Sequence, residues 1–393
     1  MLAAVLEPMW REGVIPGNTE TWRIYAGLLK TLPGYIGLAL LILWGALADR
    51  LGRPKLILLL GLSMAASLAL VSASTTYLLL LAAFTVFGAA KTWITPVLYA
   101  FIPDIVPPEK RGAGYAAYYT PSVLGFILGV ILGGVLLYWR TAYLLTAAAT
   151  GATVLLLYLA SRDTRIGGAE HHQAATQRYR FREALRSTLD RTVLILTLQV
   201  IPWTIPWGFI TLFAVDYFTT VWHITRTTAS MILAAAAITI ALGHILGGIL
   251  GDKASAKNPA ARPLIAALGV ALGYTLTTIA LNYPVHDEAS LITAATLAAL
   301  GLMAATTVYP NLSTVISDST PPIHRGTVFA IYNILNTLGW ATGPILYGIL
   351  ASTLTATLPQ QTALRYTATI LLSLWLISLA AWLAASKTYK PRS

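Results

Sequence analysis

Lys91 makes the strongest chemical demand on its surroundings. It lies near the middle of an apolar run, residues 77–102. If that run crosses a bilayer, an ammonium group there costs about 3 kcal/mol to insert. Thr95 and Tyr99 follow at i+4 and i+8, so one helix face carries a polar stripe. A cation so placed either binds an anionic group or exchanges protons in a cavity, or else it pairs with a buried carboxylate or snorkels to an edge. An intramembrane charge points by default to the first use. Three more groups could carry a coupling proton. They are Glu7, set to pair with Lys30, then Asp216 near the end of the run 192–218, and His244 in an otherwise apolar stretch. Each has a plainer use, as a solvated carboxylate or a satisfied buried imidazole.

Aromatic and amide side chains complete a pocket on paper. Gln199, Trp203, Trp207 and Thr211 recur at steps of four, with Pro202 and Pro206 set to kink that helix. Tyr118, Tyr119 and Ser122 lie on one later run, Tyr309 and Asn311 on another, and Tyr332, Asn333, Asn336 and Trp340 on a third. A tryptophan could equally anchor at the membrane interface. Burying an asparagine without a partner is costly, which favours cavity lining for Asn333 and Asn336. No catalytic set is present. There is no phosphate-cradling glycine loop, and no His, Asp or Glu cluster at metal spacing, since His171-His172 lacks a spaced third ligand. With no cysteine, disulfides, thiol chemistry and thiolate metal sites are excluded. No cofactor, no metal and no enzyme activity are expected.

The elements that must position these residues are membrane helices. The chain has 393 residues, 56% of them hydrophobic and 10% charged, with a mean hydropathy of +0.70. A soluble protein carries roughly 25% charged residues. Runs long enough to span a bilayer cover residues 24–47, 56–73, 77–102, 112–137, 141–160, 192–218, 228–250, 263–281, 290–316, 326–350 and 364–385, with an apolar fragment at 1–10. A net charge of +11 would suit nucleic acid, but the cations sit in the loops between runs, as the positive-inside rule expects. The expected partners are therefore a lipid bilayer and a small solute, not nucleic acid, and a monomer is expected.

The chain repeats itself. Asp104-Ile-Val-Pro-Pro-Glu-Lys-Arg111-Gly recurs 214 residues on as Asp318-Ser-Thr-Pro-Pro-Ile-His-Arg325-Gly. The same offset carries Pro96 onto Pro310, Tyr118 onto Tyr332 and Gly125 onto Gly339, while Lys91 falls on Ala305. The repeat divides the chain into two halves, residues 1–160 and 192–393, joined by a basic linker, 161–191, in which 178–190 reads as an amphipathic helix for the lipid surface. The repeat puts the start of the first helix about eleven residues upstream of Met1. A chain beginning inside that helix is expected, with eleven natural spans as the alternative. Lys and Arg crowd the loops on the side of residues 45–55, whereas the opposite side has Arg11, Arg23, Arg140, Arg226 and Arg365. That asymmetry makes the first side cytoplasmic and puts both termini of the full-length protein there, in the cell membrane.

Between the runs 24–47 and 56–73 stands Gly45-Ala-Leu-Ala-Asp49-Arg50-Leu-Gly52-Arg53-Pro54-Lys55, read as a tight charged turn at the membrane surface. In this setting it resembles the loop between the second and third helices of the major facilitator superfamily. The resemblance covers essentially the whole chain. It implies an all-α membrane fold of two pseudo-symmetric six-helix bundles around a cavity that opens to each side in turn. It also implies a cytoplasmic latch at Gly45, Asp49, Arg50, Gly52, Arg53 and Lys55. Asp104 with Arg111, and Asp318 with Arg325, resemble the family's loops after the fourth and tenth helices, and ordinary capping would explain them equally well. The second copy of the latch keeps Gly248, Asp252 and Lys253 but no following Gly-Arg. Gly339, Gly343, Pro344 and Gly348 resemble a glycine–proline motif associated with antiporters. The matching run has Val130 at the proline position, so close helix packing is preferred.

The expected function is secondary transport of a small solute by alternating access. An organic anion is favoured by Lys91, with proton coupling open. A proton-coupled multidrug exporter is the second reading, and a non-transporting receptor or scaffold the third.

Overall fold

The computed structural model describes residues 1–51, 53–92, 125–136, 138–161, 181–258, 260–321 and 324–390. Inside its helices the side chains of residues 41, 42, 45, 46, 48–51, 53, 136 and 181 lie outside that description. Among the described residues there is no strand. The chain divides into two units, Met1–Ala175 and Thr176–Ser393.

The first unit contains α1 (Leu2–Arg11), α2 (Trp22–Leu51), α3 (Arg53–Ala73), α4 (Tyr77–Lys91), α5 (Gly125–Val135, ending in a π turn) and α6 (Trp139–Ser161). The second contains a short α7 (Phe181–Ser187), then α8 (Arg191–Val221), α9 (Arg226–Ser255), α10 (Ala261–Asn282), α11 (Glu288–Ser319), α12 (Arg325–Thr355) and α13 (Gln360–Thr388). Eight described helices are long and apolar enough to cross a membrane. The expected runs 77–102 and 112–137 are described only in part.

Most helices overrun their apolar runs by a few residues, because their ends find caps in the polar layer. Asp190 accepts from the amides of Thr192 and Val193 at the start of α8, and Thr225 from Thr228 at the start of α9. Asp287 and Ser290 form a capping box at α11. The charged segment 45–55 differs from expectation. Helix α2 continues to Leu51 and α3 begins at Arg53, so Gly52 alone separates them. Ala46, Leu47 and Ala48 are good helix formers, and Pro54 suits a first helical turn.

Two spans are interrupted where proline dictates. A prolyl nitrogen cannot donate to the carbonyl four residues back. In α8 the helix resets at Leu198–Gln199, where Pro202 lacks the donor for Leu198. In α11 it resets at Thr306–Thr307, where Pro310 does the same to Thr306.

Small residues then let the helices close. In the first unit, a Cβ on Gly88 of α4 would stand 2.5 Å from the Pro33 side chain of α2, and Trp44 Nε1 donates to Ala89 O at 2.8 Å. Gly61 of α3 meets Val154 of α6. In the second unit, Gly243, Gly247 and Gly251 of α9 run against Met303, Thr307 and Asn311 of α11. Gly269 and Gly273 of α10 meet the same helix. Without lipid-phase hydrophobic drive between helices, such close backbone packing is what holds a bundle together. Aliphatic side chains such as Leu78, Leu156, Leu268 and Ile292 are exposed and suit contact with lipid tails. Helix α8 is the most enclosed of these spans.

The helical part of the segment expected to be amphipathic is α7, Phe181–Ser187. Ala184 is the buried residue and Leu185 and Leu189 stay exposed, while Ser187 Oγ lies 2.8 Å from His324 Nδ1 just before α12.

Candidate functional site

In the first unit, Lys91 closes the described part of α4. It is exposed, although protein surrounds it closely, and it has no ion-pair partner among the described residues. Helix α2 positions it, through the Pro33–Gly88 contact and through Trp44, whose indole also reaches Thr92 Oγ1 at 3.2 Å. Lys30 on α2 is within electrostatic reach of Lys91. Glu7 takes a different partner from the one its sequence position suggests, binding Arg11 at 2.6 Å. The two are one turn apart on α1, the favoured i,i+4 spacing. Thr95, Tyr99, Tyr118, Tyr119 and Ser122 lie outside the described residues.

In the second unit, five helices bring aromatic rings together. The Trp203 ring centroid lies 6.2 Å from Trp207, 6.2 Å from Tyr309 and 5.1 Å from Trp375. Trp207 lies 6.4 Å from Trp340 and 5.6 Å from Trp375. The His244 ring lies 5.4 Å from that of Tyr309, tilted by 39°. These separations suit offset and edge-to-face ring pairs. Trp375 is missing from the sequence reading. It is fully buried and donates to Trp203 O at 3.0 Å, yet in the sequence it is one tryptophan within a long apolar run.

The cluster has an inside and an outside. Trp203, Trp207 and Trp375 are buried, Tyr309 and Trp340 half-buried, and His244 exposed. Asn333 is exposed and Asn336 half-buried, and with Trp340 they fall on one face of α12 at steps of three and four. Asn336 Oδ1 is shielded and has no hydrogen-bond partner among the described residues. Gln199 and Trp203, expected to line a pocket, are instead packed inside the bundle because α8 is enclosed by its neighbours. Gln199 Nε2 donates to Leu196 O, and its Oε1 is buried without a partner among the described residues. Tyr332 is buried as well.

Asn311 is a structural tie. It is wholly buried, donates to Gly247 O at 2.9 Å and Thr307 O at 2.8 Å, and accepts from Arg262 at 3.4 Å. Thr307 O neighbours the Thr306 carbonyl that Pro310 leaves without its helical donor, so the amide braces α11 beside that break and ties it to α9. Asp216 is buried near the end of α8 and accepts from Thr220 Oγ1 at 3.4 Å. Beside it in α8, Phe213 and Tyr217 border an apolar cavity of about 40 Å³ shared with Thr277, Leu302 and Tyr347. Among the described residues no three His, Asp or Glu come together as metal ligands.

The sequence model of the Major Facilitator Superfamily matches residues 18–344. The chain belongs to that superfamily. Its members are membrane transporters, which makes this chain a multi-pass membrane protein of the transporter class and not an enzyme. It is 28% identical over 161 residues to a Na(+), Li(+), K(+)/H(+) antiporter of Planococcus maritimus, an alignment covering 36% of this chain and 38% of that one. It is 28% identical over 147 residues to the multi-drug resistance efflux pump PmrA homolog of Lactococcus lactis subsp. lactis (strain IL1403), covering 37% and 35%. The chain thus matches little more than a third of the length of these two relatives. Among solved structures, it superposes on a bacterial homolog of the human lysosomal transporter Spinster with a TM-score of 0.86 at 19% identity, covering 99% of this chain and 93% of that one. For the nucleoside transporter NupG the TM-score is 0.69 at 14% identity, covering 99% and 98%.

The superfamily's loop motifs can now be placed. The backbone of Gly45, Asp49 and Arg50 is helical, their side chains and that of Arg53 lie outside the description, as does Gly52, and Lys55 is exposed in the first turn of α3. Asp104 and Arg111 also lie outside it. In the second half, Asp252 forms an ion pair with Arg262, whose guanidinium also reaches Ser255 Oγ at 3.2 Å. This ties the end of α9 to the start of α10. Asp318 and Arg325 have separate partners. Tyr389 Oη donates to Asp318 at 2.8 Å, and Arg325 Nε donates to Ser317 O at 3.0 Å. Arg325 therefore caps the last carbonyls of α11, where a cation suits the helix dipole. Burial and the neighbouring Asp318 push the Tyr389 phenol well above its usual range.

Proposed function

We propose that the chain is a secondary active transporter that carries a small organic anion by alternating access, with Lys91 holding the anionic charge. One observation carries this reading: an exposed ammonium group in the last described turn of the apolar helix α4, with no counter-ion among the described residues. A charge maintained there against the insertion cost is best explained by a partner that arrives from solution. In this reading Thr95, Tyr99, Tyr118, Tyr119 and Ser122 continue the site in the first half, and Asn333, Asn336 and Trp340 with Tyr309 receive the apolar part of the solute. Asp216 and His244 are the groups for a coupling proton, while the Glu7 carboxylate is taken by Arg11. Asp49, Arg50, Arg53 and Lys55 act with Asp252 and Arg325 as cytoplasmic latches. The protein works as a monomer in the cell membrane with both termini of the full-length chain in the cytoplasm, as the cation asymmetry supports.

A second reading, export of hydrophobic drugs, gains support from the aromatic cluster and from the name of the Lactococcus lactis relative. Reconstitution separates the two. Proteoliposomes are offered labelled benzoate and, in parallel, ethidium, each with and without an imposed pH gradient. Benzoate flux lost in Lys91→Ala supports the anion reading. Ethidium flux unchanged by that substitution, with no benzoate flux, overturns it in favour of the exporter.

A further inference from the structure

The segment ahead of the second unit's first span carries a surface of its own. Helix α7 runs on into a hydrogen-bonded turn, in which the amides of Thr188, Leu189 and Asp190 donate to the carbonyls of Leu185, Arg186 and Ser187. On this winding Arg182, Leu185, Arg186 and Leu189 fall on one face, and all four are exposed. Ala184 and Ser187 fall on the opposite face. Ala184 is wholly buried, and the Ser187 hydroxyl meets His324 ahead of α12. The second face fastens the helix to the bundle and turns the first one outward.

That outward stripe lies at the membrane surface. Leu189 stands two residues before Arg191, where the spanning helix α8 begins, so chain length alone keeps it within about 7 Å of that point. The head-group layer is itself about 5–8 Å deep. More cations gather at this level. Arg191 is exposed, and Thr192 Oγ1 lies 2.9 Å from Thr388 Oγ1 at the end of α13. That contact brings the exposed Lys387 and Lys390 to the same end of the unit. None of these five cations has an ion-pair partner among the described residues. The acids nearby are otherwise placed. Asp190 accepts from the amides of Thr192 and Val193, Asp318 accepts from Tyr389, and Glu183 lies off the stripe on the flank of α7.

We propose that this surface binds anionic phospholipid head groups, with Arg182, Arg186, Arg191, Lys387 and Lys390 taking the phosphates and Leu185 and Leu189 entering the acyl boundary. Exposed leucines set between arginines match a partner that is anionic above and apolar below, which an acidic soluble protein is not. The site is independent of which solute the chain carries.

The test uses the purified full chain in detergent, given an equimolar mixture of phosphatidylglycerol and phosphatidylcholine with the same acyl chains. Native mass spectrometry reads which lipid stays bound. The wild type should retain phosphatidylglycerol about tenfold over phosphatidylcholine, since each basic side chain near an anionic surface is worth about fivefold in affinity. Arg182→Gln combined with Arg186→Gln should cut that preference about fivefold or more. Lys253→Gln combined with Lys257→Gln, two exposed cations at the end of α9, should leave it unchanged. No preference in the wild type would overturn the proposal. So would an equal loss in both double variants, which would reflect net charge alone. The leucines are read separately. Leu189→Cys gives the chain a single thiol, and a bimane on it should emit blue-shifted in phosphatidylglycerol nanodiscs. Emission as in water would put the stripe in solution and overturn its contact with lipid. The wild-type lipid competition stands even if a variant fails to fold.

Discussion

Gly343 of α12 faces the Ile205 carbonyl of α8 so closely that no Cβ fits between them. The contact is reciprocal, since a Cβ on Gly208 would stand 2.5 Å from Trp340 O and 3.2 Å from Gly343 Cα. Pro344 explains the exposed carbonyl, because it cannot donate to Trp340 four residues back. Thr204 Oγ1 adds a bond across the same seam to Asn336 O at 3.3 Å. The glycine–proline stretch therefore closes two helices that also carry the aromatic cluster.

Gly343→Leu should force those helices apart. Overpacking of this kind costs about 1–3 kcal/mol, so the melting temperature of the purified protein should fall clearly below that of the wild type. An unchanged melting temperature would mean that the seam opens without cost.

Asn311 separates a structural from a substrate role. Asn311→Leu removes three hydrogen bonds and collides with Gly251, whose Cα already lies against the amide. Leaving Arg262 and the Gly247 carbonyl without this partner should cost about 1–3 kcal/mol. Thermal unfolding should register that loss, while the surviving folded protein keeps the wild-type Kd for benzoate. A large affinity change with unaltered stability would return Asn311 to the binding site.

Much of the fold was legible from composition and repeat. Apolar runs of span length located the helices, and the recurrence of Asp104–Arg111 at Asp318–Arg325 implied two halves. The helix ends were harder, because Asp190, Thr225 and Asp287 extend helices into polar sequence that hydropathy excludes. The site was only half legible. Periodicity places Gln199, Trp203 and Trp207 on one face but does not say which way that face turns, and it turns into the bundle. Trp375 joins Trp203 from 172 residues away, so no local pattern announces it. Whether Asn311 lines a cavity or ties two helices together depends on Gly247 and Gly251 of another helix. Asp318 likewise finds Tyr389, distant in sequence, in place of Arg325 nearby.

The cap of α11 should be sensitive to acid. Ser290 donates to the Asp287 carboxylate through its side chain and its amide, and this holds the Asp287 pKa below the usual carboxylate range. A depressed folded pKa means the cap's contribution is complete above the unfolded value of about 3.9 and is lost as pH falls through the lower folded value. Hydrogen exchange at the amides of Ser290 and Leu291, corrected for intrinsic pH dependence, should accelerate in Asp287→Ala at neutral pH. In the wild type the same acceleration should appear only in strong acid. Equal protection in the variant and the wild type at neutral pH would remove the cap from the account.

If Lys91 stands in a chamber reached from each side of the membrane in turn, a thiol placed there reacts from both. The chain has no cysteine, so Lys91→Cys places a single thiol at the site without further changes. Sealed vesicles of each orientation are treated with a membrane-impermeant, charged thiol reagent. Labelling is expected from both faces. Labelling by a lipid-soluble maleimide alone, with none from either aqueous face, would contradict it.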